Sequence, residues 1–243
     1  MKSIIKSIKT FNWRLWLVLA ATLLIPALYQ TLRIFFLGDM PGDWGVNIAS
    51  QLAWVNLLYE IIEEAFILPL FFLLGKSLGS KEELENKTRT GLLISGGAYL
   101  ILSILIISFA RPLCTWMASG PSTMDATVTY IRLESVASTI SILSKFITVL
   151  LVTLGKDKYM YILLGIQTGL SMLLDTFLIS KLPFSANMGV NGIAIANIAV
   201  SVVLVVVAIL FLKKEDIHVF RRKRLEFGWL KEYGKIGLFS GLE

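Results

Sequence analysis

The chain has one cysteine, Cys114, and one histidine, His218, in 243 residues. A lone cysteine cannot close a disulfide within the chain. One cysteine with one histidine supplies neither a structural metal set nor a nucleophile–base pair. The sequence is therefore not read as an enzyme, and His218 is expected to be solvated in a charged connector. Charge is scarce too: 16% of residues are Asp, Glu, Lys or Arg, against about a quarter in soluble domains. What is abundant is apolar sequence, at 56% hydrophobic residues with a mean hydropathy of +0.74. That composition belongs to a membrane protein. The net charge of +6 raises nucleic acid or anionic lipid as a partner. No nucleic-acid-binding motif accompanies it, so membrane lipid is the expected partner and nucleic acid is not.

Six runs reach the roughly 20 apolar residues that a bilayer core requires. They lie near 15–37, 48–75, 91–110, 127–154, 159–181 and 189–212. The expected organisation is an all-α membrane protein. It has a basic N-terminus over 1–14, a six-helix transmembrane lobe over 15–212, a charged connector over 213–233 and the start of a seventh helix over 234–243. The first run is too long for a signal-peptide core and lacks a small-residue cleavage site. Pro26 is expected to kink it. Basic residues alternate between connectors. Lys2, Lys6, Lys9 and Arg14 precede the first span, Lys76, Lys81, Lys87 and Arg89 follow the second, Lys156 and Lys158 follow the fourth, and "KKEDIHVFRRKR" follows the sixth. The intervening connectors hold at most one basic residue each. The positive-inside rule then puts both ends in the cytoplasm. Trp13, Trp44 and Trp116 fall at span boundaries, where indole rings are favoured. The glycosylation sequon "NKT" at 86–88 falls on the cytoplasmic side and is read as chance.

A charge at mid-membrane costs about 2.5–3.5 kcal/mol on insertion scales, yet eight lie inside the spans. The acids are Glu60, Glu63, Glu64, Glu134 and Asp175; the bases are Arg33, Arg132 and Lys145. Polar residues recur at three- and four-residue spacing, which puts them on one helix face. The first span ends with Gln30 and Arg33, and the second carries Asn56 with the three glutamates. The fourth reads Glu134, Ser138, Ser141, Lys145, Thr148; the fifth reads Gln167, Ser171, Asp175; the sixth offers Asn197 and Ser201. The third shows no such stripe, so it faces lipid or packs through small residues. A single stripe can be a buried pair that braces the bundle. Five of them point to a shared, water-accessible interior, because internal ion pairs seldom repay their desolvation.

Counting residues from the helix ends at about 1.5 Å each places Arg33, Asp175, Asn197 and Glu134 at one level in the outer half. Lys145 and the glutamates of "YEIIEEAF" fall deeper. Arg33 can meet Asp175 or Glu134, or can snorkel to the headgroups; Lys145 can meet one of the glutamates. On a helical wheel Glu60, Glu63 and Glu64 share an arc of roughly 100°, which is expected to form one acidic face. That face is either neutralised by Lys145 or able to load a proton. Five acids against three bases leave an excess of negative charge that protons, sodium or a cationic substrate can balance.

The segment "YIRLESVASTI…LVTLGKDKY", the pair "SMLLDTFLIS" and "MGVNGIAIANIAVS", and "ALYQTLRIFFLG" resemble, in order and spacing, segments of multidrug and toxic compound extrusion (MATE) transporters. "WLKEYGKIGLFSGLE" is similar to the entry to that family's seventh helix. The resemblance implies a twelve-helix fold in two lobes, of which this chain is the N-terminal one without its C-terminal partner lobe. It implies a secondary antiporter in a prokaryotic plasma membrane. Small organic cations or amphipathic compounds would be exported against H+ or Na+, with no other cofactor. It also implies that Asp175 matches the acid that binds the coupling cation in one branch, with Ser171 and Asn197 beside it. Arg33 departs from the pattern, standing where that site has an Asp; it would act as a fixed cation for Asp175. The second-helix glutamates would then be a relocated acidic site. Within transport, the alternative is a flippase for an anionic lipid-linked substrate, with Arg33 and Lys145 on its headgroup.

The charge alternation makes a direct prediction about sidedness. A cysteine at Ser122 should react with a membrane-impermeant maleimide in intact cells, and one at Ser80 should react only after lysis. The reverse pattern would invert the orientation.

Overall fold

The computed structural model describes residues 24–25, 27–29, 31–36, 44–117, 120–218 and 224–240. We label the helical residues 24–25, 27–29 and 31–36 α1. There follow α2 (Trp44–Gly75), α3 (Lys81–Ser108), the short α4 (Ala110–Trp116), α5 (Met124–Thr153), α6 (Lys158–Leu178), α7 (Val190–Lys214) and α8 (Leu230–Ser240). No strand occurs among the described residues. Among the described residues, four helices, α3, α5, α6 and α7, are long and apolar enough to cross a bilayer. α2 has 32 residues, about 48 Å at 1.5 Å per residue, longer than a core of about 30 Å. The expected first span and its kink at Pro26 lie largely outside the described residues.

Several boundaries differ from the sequence expectation for one reason. Hydropathy finds the part of a helix that lies in lipid, whereas the helix continues wherever backbone hydrogen bonds and caps allow. α3 therefore begins at Lys81 rather than near 91. The charged stretch "KEELENKTR" is helical, Ser80 caps it by accepting from the Glu83 amide at 3.4 Å, and Glu82 and Glu83 sit favourably in the first turn. α4 was not expected at all. It fills the loop after α3 with one apolar side buried, at Ala110 and Cys114. The seventh helix starts at Leu230 instead of 234.

α5 is the hub, packing against α7, α3, α2 and α4. Its buried face mixes large apolar residues (Ile131, Ile142, Phe146, Ile147) with Glu134, Ser135 and Ser144. α3 meets it through small residues. Gly91 leaves the space that the Phe146 ring fills, and a Cβ there would sit 2.7 Å from that ring. Leu93, Leu100, Ile101, Ile104 and Leu105 on the other side of α3 are exposed, as a lipid-facing surface should be. α3 thus packs through a small residue and leaves an apolar side exposed.

The α6–α7 connection reverses tightly. The amides of Ala186 and Met188 donate to Phe177 O and Leu178 O at 2.8 and 2.7 Å. Gly189, at φ 61° and ψ −148°, occupies a region open essentially to glycine alone. Its conformation lets α7 start directly against the end of α6.

The chain after α7 is tied back to the bundle. Asn86 donates to Glu226 O at 2.8 Å and accepts from its amide at 3.0 Å. Trp229 Nε1 donates to Thr90 Oγ1 at 3.0 Å, Tyr233 OH donates to Phe66 O at 2.5 Å, and Lys76 pairs with Glu232 at 2.6 Å. Glu215 accepts from Lys156 and from Tyr159, each at 2.7 Å; the Lys156 ammonium holds its carboxyl below the usual range. His218, half-exposed as expected, lies 3.1 Å from Asp216 through Nε2.

The close α6–α7 approach predicts an asymmetry between glycines. A Cβ on Gly192 would lie 2.7 Å from Ile179 Cγ2 and 3.1 Å from the Leu178 carbonyl oxygen, whereas one on Gly97 meets nothing within 4 Å. Gly192→Ala should destabilise the protein by about 1–3 kcal/mol, and Gly97→Ala should leave it unchanged or slightly more stable. Thermal unfolding in detergent compares the two.

Candidate ion and substrate site

α1 and α6 meet through a charged pair. The Arg33 guanidinium grips Asp175 with two bonds, Nε to Oδ2 at 2.8 Å and Nη2 to Oδ1 at 3.2 Å. Tyr29, one turn before Arg33, donates its hydroxyl to Asp175 Oδ2 at 2.6 Å, and its ring lies 4.8 Å beneath the guanidinium carbon. The Asp175 side chain is 2% exposed and that of Arg33 is 16% exposed. A two-pronged contact of this kind is the strongest form of ion pair and fixes orientation as well as charge.

Arg33 reaches further. Nη2 also donates to Asn197 Oδ1 at 3.0 Å, and Asn197 Nδ2 donates to Glu134 Oε1 at 2.7 Å. Asn197 therefore sits as a relay, accepting from the cation and donating to the second carboxylate. Four helices contribute one polar group each to this chain: Arg33 (α1), Asp175 (α6), Asn197 (α7) and Glu134 (α5). They meet because they lie at one depth, as the residue count from the helix ends expects.

Below this cluster lies a cavity of about 430 Å³, bounded by α2, α5, α6 and α7. Glu134, Asn197 and Ser171 line its upper part; Asn56, Ser141, Gln167 and Lys145 continue the lining. Glu134 and Lys145 are eleven residues apart on α5, about 16 Å. The stripes of α5, α6, α7 and part of α2 thus share one space.

Lys145 pairs with Glu63, and the Tyr99 hydroxyl lies 3.4 Å from the same carboxylate. This pair borders a second hollow of about 410 Å³ whose walls are mainly Ile67, Val149, Met160, Leu163, Leu164 and Leu204. Both partners are partly exposed, at 48% and 31%.

The three glutamates do not form one inward face. Glu63 points to α5 and α3, while Glu60 and Glu64 are exposed and make no hydrogen bond or ion pair among the described residues. The arc of roughly 100° that contains them straddles the edge of the packed surface. A helical wheel fixes angles between side chains but not how the helix is turned in the bundle. Arg132 also stays outside the site, donating to Ile107 O at 3.2 Å. Gln30 lies outside the described residues.

Sequence reading missed the tyrosines. Besides Tyr29, Tyr59 and Tyr99 stack at 5.4 Å between α2 and α3. Tyr99 donates to Tyr59 O at 3.0 Å, and the Tyr59 and Ser103 hydroxyls are 2.7 Å apart. Ser103 gives its own proton to Ser135 O at 3.1 Å, so Tyr59 is the donor. A hydroxyl hidden in an aromatic residue leaves no mark on a hydropathy profile. The one usable signal was Tyr29, four residues before Arg33 and so on its face.

The relay orders the effects of single substitutions. Arg33→Gln leaves Asp175 buried without its cation and should cost about 3–5 kcal/mol, the price of breaking a buried pair. Asp175→Asn should cost less, because Glu134 stands one amide away and can accept the guanidinium. Thermal or denaturant unfolding of both variants in detergent checks the ranking.

By sequence the chain matches no protein-family model and no curated protein. By structure it resembles solved transporters. It superposes on an outward-facing multidrug resistance MATE family transporter of the MOP superfamily with a TM-score of 0.79 at 18% identity, over 91% of this chain and 49% of that one. A MATE crystallised with MaD3S gives 0.77 at 17% identity over 90% and 49%, and a MATE in the straight conformation gives 0.76 at 20% over 90% and 49%. This chain spans about half the length of the transporters it matches. An all-α membrane protein with apolar helices of spanning length, arranged in this order and superposing at these scores, has the fold of one half of a MATE transporter.

Proposed function

We propose that the chain is the N-terminal lobe of a secondary antiporter of the multidrug-efflux type, exporting cationic or amphipathic organic compounds against H+ or Na+. One observation carries this reading: a buried cluster with two carboxylates and one guanidinium opens onto a 430 Å³ polar cavity inside a transporter fold. Charged groups in a membrane interior mark ion and substrate paths, and binding near the midplane between helices is how alternating-access carriers are built. The lobe works with a second lobe of similar size and with surrounding lipid. Both its ends face the cytoplasm of a prokaryotic cell. Ser171, Asn197 and Glu134 line the cation side of the cavity next to the Arg33–Asp175 pair, and Lys145, paired with Glu63, lines its far end.

The flippase reading has less support. Its anionic headgroup needs a cation to receive it, and both candidates are engaged: Arg33 by Asp175 and Lys145 by Glu63. What favours it is the apolar hollow beside Lys145, which suits an acyl chain.

The two readings predict opposite charge selectivity. In nanodiscs the chain should bind tetraphenylphosphonium in preference to tetraphenylborate, ions of similar size and opposite sign. Ser141→Trp, which fills the cavity, should weaken that binding at least tenfold, about 1.4 kcal/mol. Preference for the borate would favour the flippase.

A further inference from the structure

Among the described residues, the buried charges at the outer end of the cavity do not sum to zero. Arg33 contributes one positive charge; Asp175 and Glu134 contribute one negative charge each when ionised. The geometry says which acid is matched. Asp175 takes both guanidinium bonds and the Tyr29 hydroxyl. Glu134 has no ion-pair partner among the described residues. Its Oε1 is held by the neutral amide of Asn197, whose other end is turned to Arg33. Glu134 is only 6% exposed and lines the cavity wall. An unpaired carboxylate so deeply buried is costly, so the site calls for one further positive charge.

We propose that Glu134, and not Asp175, is the exchangeable anionic group of this lobe. It holds a proton when the cavity is empty of substrate and the cationic centre of an organic compound when one is bound. Arg33 and Asp175 remain a fixed pair throughout. Entry of a monovalent organic cation releases the Glu134 proton to cavity water, and the charge of the cluster is zero in both states. Asn197 serves each state: its amide donates to the carboxylate, and its carbonyl keeps the guanidinium turned toward Asp175. Among the described residues, the titratable groups that face Glu134 are Arg33 from α1, Tyr59 from α2, Asp175 from α6 and Tyr130, one turn back on α5 itself. Only Arg33 is cationic, and it is already bound. This deepens the transporter reading and rests on it for the identity of the substrate.

The experiment uses the chain in nanodiscs, with tetraphenylphosphonium as the probe. Wild type should release roughly one proton per probe bound, measured in weakly buffered solution, and its affinity should rise up to about tenfold per pH unit. E134Q should abolish the release and flatten the pH dependence. The double variant R33Q/D175N removes the fixed pair together and leaves no net charge behind; its affinity for the probe should change, but probe binding should still release a proton. Thermal unfolding of each variant reports folding, and if E134Q does not fold, E134D should release the proton at shifted affinity. Release that persists in folded E134Q, or that vanishes in folded R33Q/D175N, overturns the assignment. A readout without substrate separates this from the transporter reading. At neutral pH, infrared spectra of wild type should show a carboxylic-acid carbonyl band that is absent in E134Q. If that band is present and removed as expected but the probe does not bind, the substrate class fails and the Glu134 assignment stands. If wild type lacks the band, the assignment fails whatever the probe does.

Discussion

The bidentate grip of Arg33 on Asp175 is the constraint around which this lobe is arranged. It ties α1 to α6, and through Asn197 it extends to α7 and α5. In hydrocarbon a bare guanidinium and a bare carboxylate are each too costly to keep, so the helices must bring them together before any finer packing matters. The pair also decides the chemistry. A cation fixed by covalent attachment cannot leave, so Asp175 is spoken for. Any mobile charge has to be handled by another group in the same layer.

The rest of the bundle holds that layer still. α5 runs through the centre with Phe146 over Gly91 of α3 and a row of fully buried apolar residues toward its inner end. Higher up, hydroxyls do the same work. Tyr59, Tyr99, Ser103, Ser135 and Thr139 bind one another across α2, α3 and α5. Such a web suits a membrane interior, where the hydrophobic effect gives no reason for helices to prefer each other over lipid and packing with hydrogen bonds must supply it. The cavity survives beside this stiff wall because its own lining is polar and can be wet.

How much of this the sequence shows depends on which geometric quantity is asked for. Depth is legible, since the rise per residue hardly varies: counting from helix ends puts Arg33, Asp175, Asn197 and Glu134 in one layer, where the structure has them. Angular register within a helix is legible too, which is why the stripes of α5 and α6 line one cavity. Absolute rotation is not, because it depends on neighbours that periodicity does not name; Glu60 and Glu64 end up outside the cavity although they share an arc with Glu63. Helix ends are poorly marked where a charged stretch continues the helix beyond lipid, as at Lys81. Tyrosine hydroxyls are masked by the rings that carry them. The overall architecture was carried by order and spacing of motifs whose individual residues diverge widely.

The attachment of the post-α7 segment bears on how such a protein can be cut and rejoined. Asn86 clasps the backbone of Glu226 from both sides, Trp229 bonds to Thr90, and Tyr233 bonds to the carbonyl of Phe66 in α2. The first turns of α8 thus belong mechanically to this bundle. An engineer who splits a two-lobe relative of this fold into separately expressed pieces should therefore leave α8 with the piece that contains α2 and α3. A cut between Trp229 and Leu230 would take the Tyr233 hydroxyl from the Phe66 carbonyl and the Glu232 carboxylate from Lys76.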